Sequence, residues 1–434
     1  MIIKAVIYFF LLMISISGTG QEVLRLPDAV NIALKNSLDI QLANNSVEAN
    51  TLLNNRGIAG GLPVVTATLS DNEQISSINQ KFNTGDSSIF RNAAATNNLN
   101  SNLAISILLY NGNRVVATRH RLAQLQKQSQ EILNSQIQNI ISGVMTSYYD
   151  IVRQQSYLKT IERSIDASGQ QLQIVQTRQS VGLANNADLF QAQIDLNALL
   201  QEQISQQLII DQAKTELLRQ LTLRPDSLIN ISDTILVDRT LVLDEVLNNL
   251  HKNPDIIASQ DQVRINELIV KETAALRYPS VRANTGYNFT RNQAAAGQFS
   301  LNQNYGPSLG FTIGIPIFNG SIFRRQKQVA EINVRNADLN KQILVRDYSS
   351  QVVKSYQSYA STIRQLENEQ NNYTLSSQLL ELALKRFEFK QATIVDVKNA
   401  QQSFEESGYR LVNLNFAAKF AEIELKRLGN QLAL

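Results

Sequence analysis

The chain of 434 residues has no cysteine and no tryptophan, and only two histidines and seven prolines. Without cysteine there is no disulfide framework, no thiolate metal site and no N-terminal Cys to carry a lipid. The two histidines, His120 and His251, stand alone. They offer no metal-ligand spacing and no paired nucleophile and base, so they read as surface or packing residues and enzyme activity is not expected. Glycine-rich phosphate loops are missing as well, since the glycines between residues 286 and 314 stand singly; no cofactor is expected. Charge of one sign is lacking too. Forty Lys and Arg face 37 Asp and Glu, a net +3 that argues against nucleic acid as a partner. Long apolar runs are confined to residues 5–16, behind Lys4 and ahead of Gly18-Thr19-Gly20. That run is too short to span a bilayer as a stable helix, and its flanks predict a secretory signal peptide over residues 1–20. No later segment approaches the ~20 apolar residues of a membrane helix, so an exported chain without a helical anchor is expected.

What the sequence has is repetition. Pro63 and Pro279 each open a stretch of alternating apolar and polar residues, and Tyr110-Asn111-Gly112 and Phe318-Asn319-Gly320 each close one. A long Gln-rich helical pattern then runs to a short break, Val181-Gly182-Leu183-Ala184 in one half and Phe389-Lys390-Gln391-Ala392 in the other. An aspartate follows each break at the same distance, Asp188 or Asp396. From the Asn-Gly turn onward the halves match at a constant offset of 208 residues, and upstream the offset is 216. One fold unit has been duplicated. The boundaries read as a signal peptide over 1–20, a first repeat over 21–225, a connecting segment over 226–242 and a second repeat over 243–434.

The alternating stretches predict strands. Leu309, Phe311, Ile313, Ile315 and Ile317 alternate with Ser308, Gly310, Thr312, Gly314 and Pro316; Val281, Ala283, Thr285, Tyr287 and Phe289 alternate with Arg282, Asn284, Gly286, Asn288 and Thr290. Leu99 to Leu109 and Val65 to Leu69 follow the same rule in the first half. Each stretch is about ten residues, the length of a tilted transmembrane β-strand with one face for lipid and one for water. They come as two hairpins, with polar tips expected at 71–98 and 291–304. Four strands cannot close a barrel with a lumen, and hydrocarbon does not tolerate an open sheet edge. Several chains must then share one barrel; three would give twelve strands, within the known range.

The rest reads as helix. Residues 114–181 contain no proline, and residues 323–389 contain neither proline nor glycine. At about 1.5 Å per residue, each makes a helix of roughly 100 Å. Ile137, Ile140, Val144, Tyr148 and Ile151 recur at helical spacing, as do Val345, Tyr348, Val352, Tyr356 and Tyr359. Return helices are expected over 189–223 and 397–428, and opening helices over 27–55 and 243–276. Between the halves, Ile229, Ile231, Ile235 and Val237 suggest short strands forming a small collar. The helices alone would also suit an exported coiled-coil scaffold without channel activity, but such a rod does not explain hairpins inserted at matching points.

With repeat, hairpins and helices in this order, the chain resembles the TolC family of outer-membrane efflux proteins. The resemblance is carried by Tyr110-Asn111-Gly112 and Phe318-Asn319-Gly320, where the family turns from barrel strand into long helix. It is carried also by the tips Val181-Gly182-Leu183-Ala184 and Thr393-Ile394-Val395-Asp396-Val397. It implies a mixed α and β membrane protein: long α-helical hairpins forming a periplasmic helical barrel, plus four transmembrane β-strands per chain in a trimeric twelve-stranded β-barrel. It implies a homotrimer in the cell outer membrane that extends into the periplasm. Such a protein is a passive exit duct of a tripartite efflux or type I secretion system, carrying drugs, small toxic molecules or polypeptides. Its partners would be outer-membrane lipid, a periplasmic adaptor (membrane fusion protein) and an inner-membrane pump of RND or ABC type.

By the same resemblance, the adaptor would meet the tips at Val181, Gly182, Leu183, Ala184, Lys390, Gln391 and Ala392, and the pore would narrow at Asp396 and Asn399. Chemistry gives the tips a second reading. Asn185 with Asp188, and Thr393 with Asp396, fit helix N-caps followed by an acid three residues on. The cap and pore readings of the aspartates are compatible. A ring of three Asp396 carboxylates would favour cations, and their crowding would raise some of their pKa values. Asn399 stands where a second acid is common in the family, leaving one carboxylate per chain. Ala392 and Phe387 replace a tip arginine and an aromatic hydroxyl, so no lock from Asp188 to those positions is carried over. Lys390 replaces the glycine of the second tip.

Overall fold

A computed structural model describes residues 23–81, 83, 88–296 and 299–432; the expected signal peptide over 1–20 lies outside the described residues. The chain folds as two compact units. Among the described residues, one is drawn from 23–44, 131–257 and 343–432, the other from 45–130 and 258–342. No described helix is long and apolar enough to cross a membrane.

The second unit is built on a four-stranded antiparallel sheet in the order β1-β2-β3-β4. Its strands are β1 (Val64–Lys81), β2 (Ser88–Tyr110), β3 (Ser280–Ala294) and β4 (Leu301–Gly314). Pairing runs from Val64 opposite Ser106 to Lys81 opposite Ser88, from Leu108 opposite Arg282 to Thr96 opposite Ala294, and from Ser280 opposite Gly314 to Gln293 opposite Leu301. Among the described residues, no strand pairs with the outer edges of β1 and β4. On one face of β4, Leu309, Phe311 and Ile313 are each at least 63% exposed.

The strands are longer than the expected ten residues: β1 has 18 and β2 has 23. Beyond the apolar alternation the ladder continues through Asn, Ser, Thr and Gln, and Asn97 Nδ2 donates to Asp71 Oδ1 at 2.7 Å. These side chains face water on both sides of the sheet, so no apolar period marks them. The register slips between Ser76 and Ile78, beside Ala93 at φ 54°, which marks a β-bulge.

Two helices precede the first hairpin, α1 (Leu26–Asn36) and α2 (Leu38–Leu53), and two helices of 67 and 35 residues follow it, α3 (Arg114–Ser180) and α4 (Asn186–Gln220). The second half has α5 (Leu243–Asn249), a 3₁₀ turn (Leu250–Lys252) and α6 (Pro254–Ala275) before its hairpin, then α7 (Ile322–Glu388, 67 residues) and α8 (Ile394–Leu428, 35 residues). Each opening helix, expected as continuous, is broken. Ser37 leaves the helical conformation at φ −54° and ψ 124°, and its Oγ accepts from Ile40 N at 3.4 Å. Asn253 is extended ahead of Pro254, and its Oδ1 accepts from Asp255 N at 3.0 Å. Each residue ends one helix and caps the next.

At the junction of strand and long helix, Gly112 and Asn113 take φ 67° and 64°, and Gly320 and Ser321 both take φ 65°. Two successive left-handed residues turn the chain out of the sheet. Gly112 is needed twice over, because a Cβ there would sit 2.7 Å from Tyr278 Cβ and 2.9 Å from the Ala275 carbonyl oxygen. At Gly320 nothing lies within 4 Å.

In the first unit, Ala29, Val30 and Ala33 of α1 pack with Val144, Tyr148 and Ile151 of α3, Leu217 of α4 and Ile231 of the connecting segment. That segment does not form the expected collar strands: it holds one isolated parallel bridge, Val23 with Asn230. Its carbonyls are taken by helix side chains instead. Gln155 Nε2 donates to Ile231 O at 2.9 Å and Lys419 Nζ to Leu236 O at 2.8 Å. Lys419 and Glu422 are buried together at 2.9 Å. Glu422 also accepts from Lys426 Nζ and from the Asp238 amide, each at 2.9 Å. All of its lone-pair directions are used, which is the condition under which a buried carboxylate is tolerated.

Candidate functional site

The two helix tips have the same backbone and different side chains. At the end of α3, Gly182 takes φ 78°; its amide donates to Gln179 O and the Leu183 amide to Arg178 O. At the end of α7, Lys390 takes φ 60°, with its amide on Phe387 O and the Gln391 amide on Arg386 O. Both are left-handed helix caps closed by paired bonds to the last-turn carbonyls. Glycine adopts this conformation freely, whereas lysine is strained there by about 1 kcal/mol.

The return helices start 208 residues apart at Asn186 and Ile394, each behind an N-cap. Asn185 Oδ1 accepts from the Asp188 amide at 2.7 Å. Thr393 Oγ1 accepts from the Asp396 amide at 3.2 Å, and Asp396 Oδ2 accepts from Thr393 N at 2.7 Å and from Thr393 Oγ1 at 2.8 Å, a full capping box. Those bonds hold the Asp396 carboxyl below the usual carboxylate range, with Arg386 adding to the effect. Within one chain this is opposite to the upward shift expected from crowding, because two donors from Thr393 stabilise the charged form. Asp396 and Asn399 share a shallow groove with Arg386 and Ser403 on the second hairpin.

Val181 and Leu183 are 65% and 59% exposed, and Gly182, Lys390 and Gln391 are exposed with them. Ala184 and Ala392 are half-buried and join a core made of Val175, Ala192, Phe387, Val397 and Phe404. That core draws on both hairpins, so the tips are one packed body. Asp188 makes no ion pair among the described residues. The hairpins are tied elsewhere. Arg178 places its guanidinium 4.4 Å from the Phe387 ring centroid and donates to the Phe387 carbonyl. Lys398 pairs with Asp195 at 2.9 Å, and Tyr409 donates to Glu202 at 2.8 Å. No sequence pattern marks Arg178, since its partner is a backbone carbonyl and a ring face that need no particular hydroxyl at 387. His120 and His251 are both exposed.

A four-stranded sheet with two open edges and one bare apolar face fits an outer-membrane channel better than a self-contained domain. The sequence profile of the family described as outer membrane efflux protein matches residues 29–222 and 246–431, and the chain belongs to that family. It is an outer-membrane protein that extends into the periplasm. Outer membrane protein TolC of Vibrio cholerae is 23% identical over 302 residues, 67% of each chain. The crystal structure of outer membrane protein VceC from Vibrio cholerae superposes with a TM-score of 0.76 at 17% identity, over 93% of this chain and 95% of that one. The CmeC outer membrane channel of Campylobacter jejuni gives 0.75 at 16% identity, over 94% and 87%. The fold is therefore that of channels with a helical barrel and a β-barrel.

Proposed function

We propose that three copies of this chain form a passive exit duct through the outer membrane, the terminal part of a tripartite efflux or type I secretion system. The observation that carries this reading is the pair of unpaired edges, β1 and β4, on a sheet whose apolar face is bare. In hydrocarbon every backbone group must be bonded, so the sheet is completed by strands from other copies. Three copies supply twelve strands, an even number in the range of outer-membrane barrels. Two repeats, 21–225 and 243–434, joined by 226–242, give each chain its two hairpins of each kind.

The exposed tip residues Val181, Gly182, Leu183, Lys390 and Gln391 offer the docking surface for a periplasmic adaptor. An inner-membrane pump, of RND or ABC type, supplies the energy, as the duct has no chemistry of its own. Asp396 from each copy would form a ring of carboxylates that favours cations; Asn399 lies one turn on. Cargo is drugs, small toxic molecules or polypeptides chosen by the pump. Native mass spectrometry of the detergent-extracted protein tests the assembly. A mass of three chains is expected, and a folded monomer as the only species would overturn the shared barrel.

A further inference from the structure

Where the chain leaves β4 at Gly314 it enters a pocket lined by Ile317, Phe318, Arg277, Arg324 and Lys327. Ile317 is 94% and Phe318 85% exposed, the most exposed large apolar side chains of this region. They follow the end of β4 at Gly314, just past the exposed Leu309, Phe311 and Ile313 of the strand and Ile315 beyond it. Among the described residues nothing covers these two side chains, which line the pocket together with three cations.

Charge around this pocket is one-sided. Residues 273–330 contain six Lys and Arg and no Asp or Glu. Lys327 reaches Glu331 at 3.0 Å, an exposed pair one turn away. Arg277 lies along the Tyr278 ring at 5.1 Å and donates to its hydroxyl at 3.1 Å, which fixes the guanidinium while leaving donors free. Arg324 has no acidic partner among the described residues. An apolar strip that meets a cluster of cations at its end has the order of a bilayer leaflet, acyl chains first and phosphates next.

We infer that this pocket is a binding site for an anionic phospholipid of the inner leaflet of the outer membrane. The headgroup phosphate sits among Arg277, Arg324 and Lys327, and the acyl chains lie over Phe318 and Ile317. The site rests on the reading of the β4 face as lipid-facing, and it adds headgroup selectivity to the apolar contact of the barrel.

The absence of tryptophan allows a direct test. Phe318→Trp places a single reporter at the site, with Ile317→Trp as a second reporter should the first fail to fold. The protein is reconstituted in phosphatidylcholine vesicles containing phosphatidylglycerol, with one lipid or the other carrying brominated chains as quencher. Since each basic residue near the surface attracts an anionic lipid by about 1 kcal/mol, even one effective cation gives roughly fivefold local enrichment. Brominated phosphatidylglycerol should quench about fivefold more per mole than brominated phosphatidylcholine. Arg277→Gln, Arg324→Gln and Lys327→Gln together should bring the ratio to about one. Equal quenching by both lipids without those substitutions would overturn the headgroup site and leave the duct untouched. Quenching by neither lipid, in protein that still conducts ions, would remove the lipid-facing assignment and the site with it.

Discussion

The two strand-to-helix turns are a matched pair that separates backbone strain from overlap. Gly112 and Gly320 share φ values of 67° and 65°, so alanine at either must enter the left-handed region at a cost of about 1 kcal/mol. At Gly320 that is the whole cost, as an added Cβ meets nothing within 4 Å. At Gly112 the Cβ would lie 2.7 Å from Tyr278 Cβ and 2.9 Å from Ala275 O. Both belong to the turn that leads from α6 into β3, so relief requires a backbone shift, costing about 2 kcal/mol more. The Tyr278 amide donates to that same Ala275 carbonyl at 3.1 Å, which makes it the natural reporter. Because 1.4 kcal/mol is about a factor of ten, Gly112→Ala should speed hydrogen exchange at the Tyr278 amide by roughly a hundredfold. Gly320→Ala should leave Tyr278 unchanged and speed the Arg325 amide, bonded to Ser321 O, by roughly fivefold. Equal effects of the two variants at their own turns, or an unmoved Tyr278 amide in Gly112→Ala, would refute the overlap.

Three further outcomes are expected. Lys390→Gly relieves the left-handed strain at the second tip and should slow exchange of the Gln391 amide about fivefold, which corresponds to about 1 kcal/mol; faster exchange would mean the lysine is not strained. Thr393→Val removes the hydroxyl that bonds Asp396 and weakens a depressed pKa. A carboxylate with a lowered pKa stays charged to lower pH, so the variant should lose cation preference at a higher pH than wild type in a bilayer recording, and an unshifted midpoint would exclude the Thr393 contribution. Glu422→Leu leaves Lys419 buried without its carboxylate, which should cost about 3–5 kcal/mol and lower the thermal midpoint; an unaltered midpoint would show that the buried pair does not fasten the connecting segment.

Much of the fold was legible because its signals are local. Alternation marked the membrane-length part of each strand, Asn-Gly marked both exits from the sheet, and Asn185 and Thr393 marked the starts of the return helices. What stayed hidden depends on partners far away in sequence. The polar ends of β1 and β2 have no apolar face to alternate against. The breaks at Ser37 and Asn253 are the exception: each side chain caps an amide two or three residues on, and Asn253 precedes Pro254, so both lay within reach of a local reading. Ile229, Ile231, Ile235 and Val237 alternate like a strand, yet the segment is held by side chains of α3 and α8, Gln155 on the Ile231 carbonyl and Lys419 on the Leu236 carbonyl. At the tips the positions of the turns and caps could be read, while the tie from Arg178 to Phe387 could not, because a backbone carbonyl leaves no mark in sequence.

Single-channel recording in a planar bilayer, comparing wild type with Asp396→Ala, tests the central claim most directly. A water-filled duct narrowed by Asp396 should give steady conductance that prefers cations in wild type and loses that preference in the variant. Folded, membrane-inserted protein that passes no current in either form would contradict the duct itself.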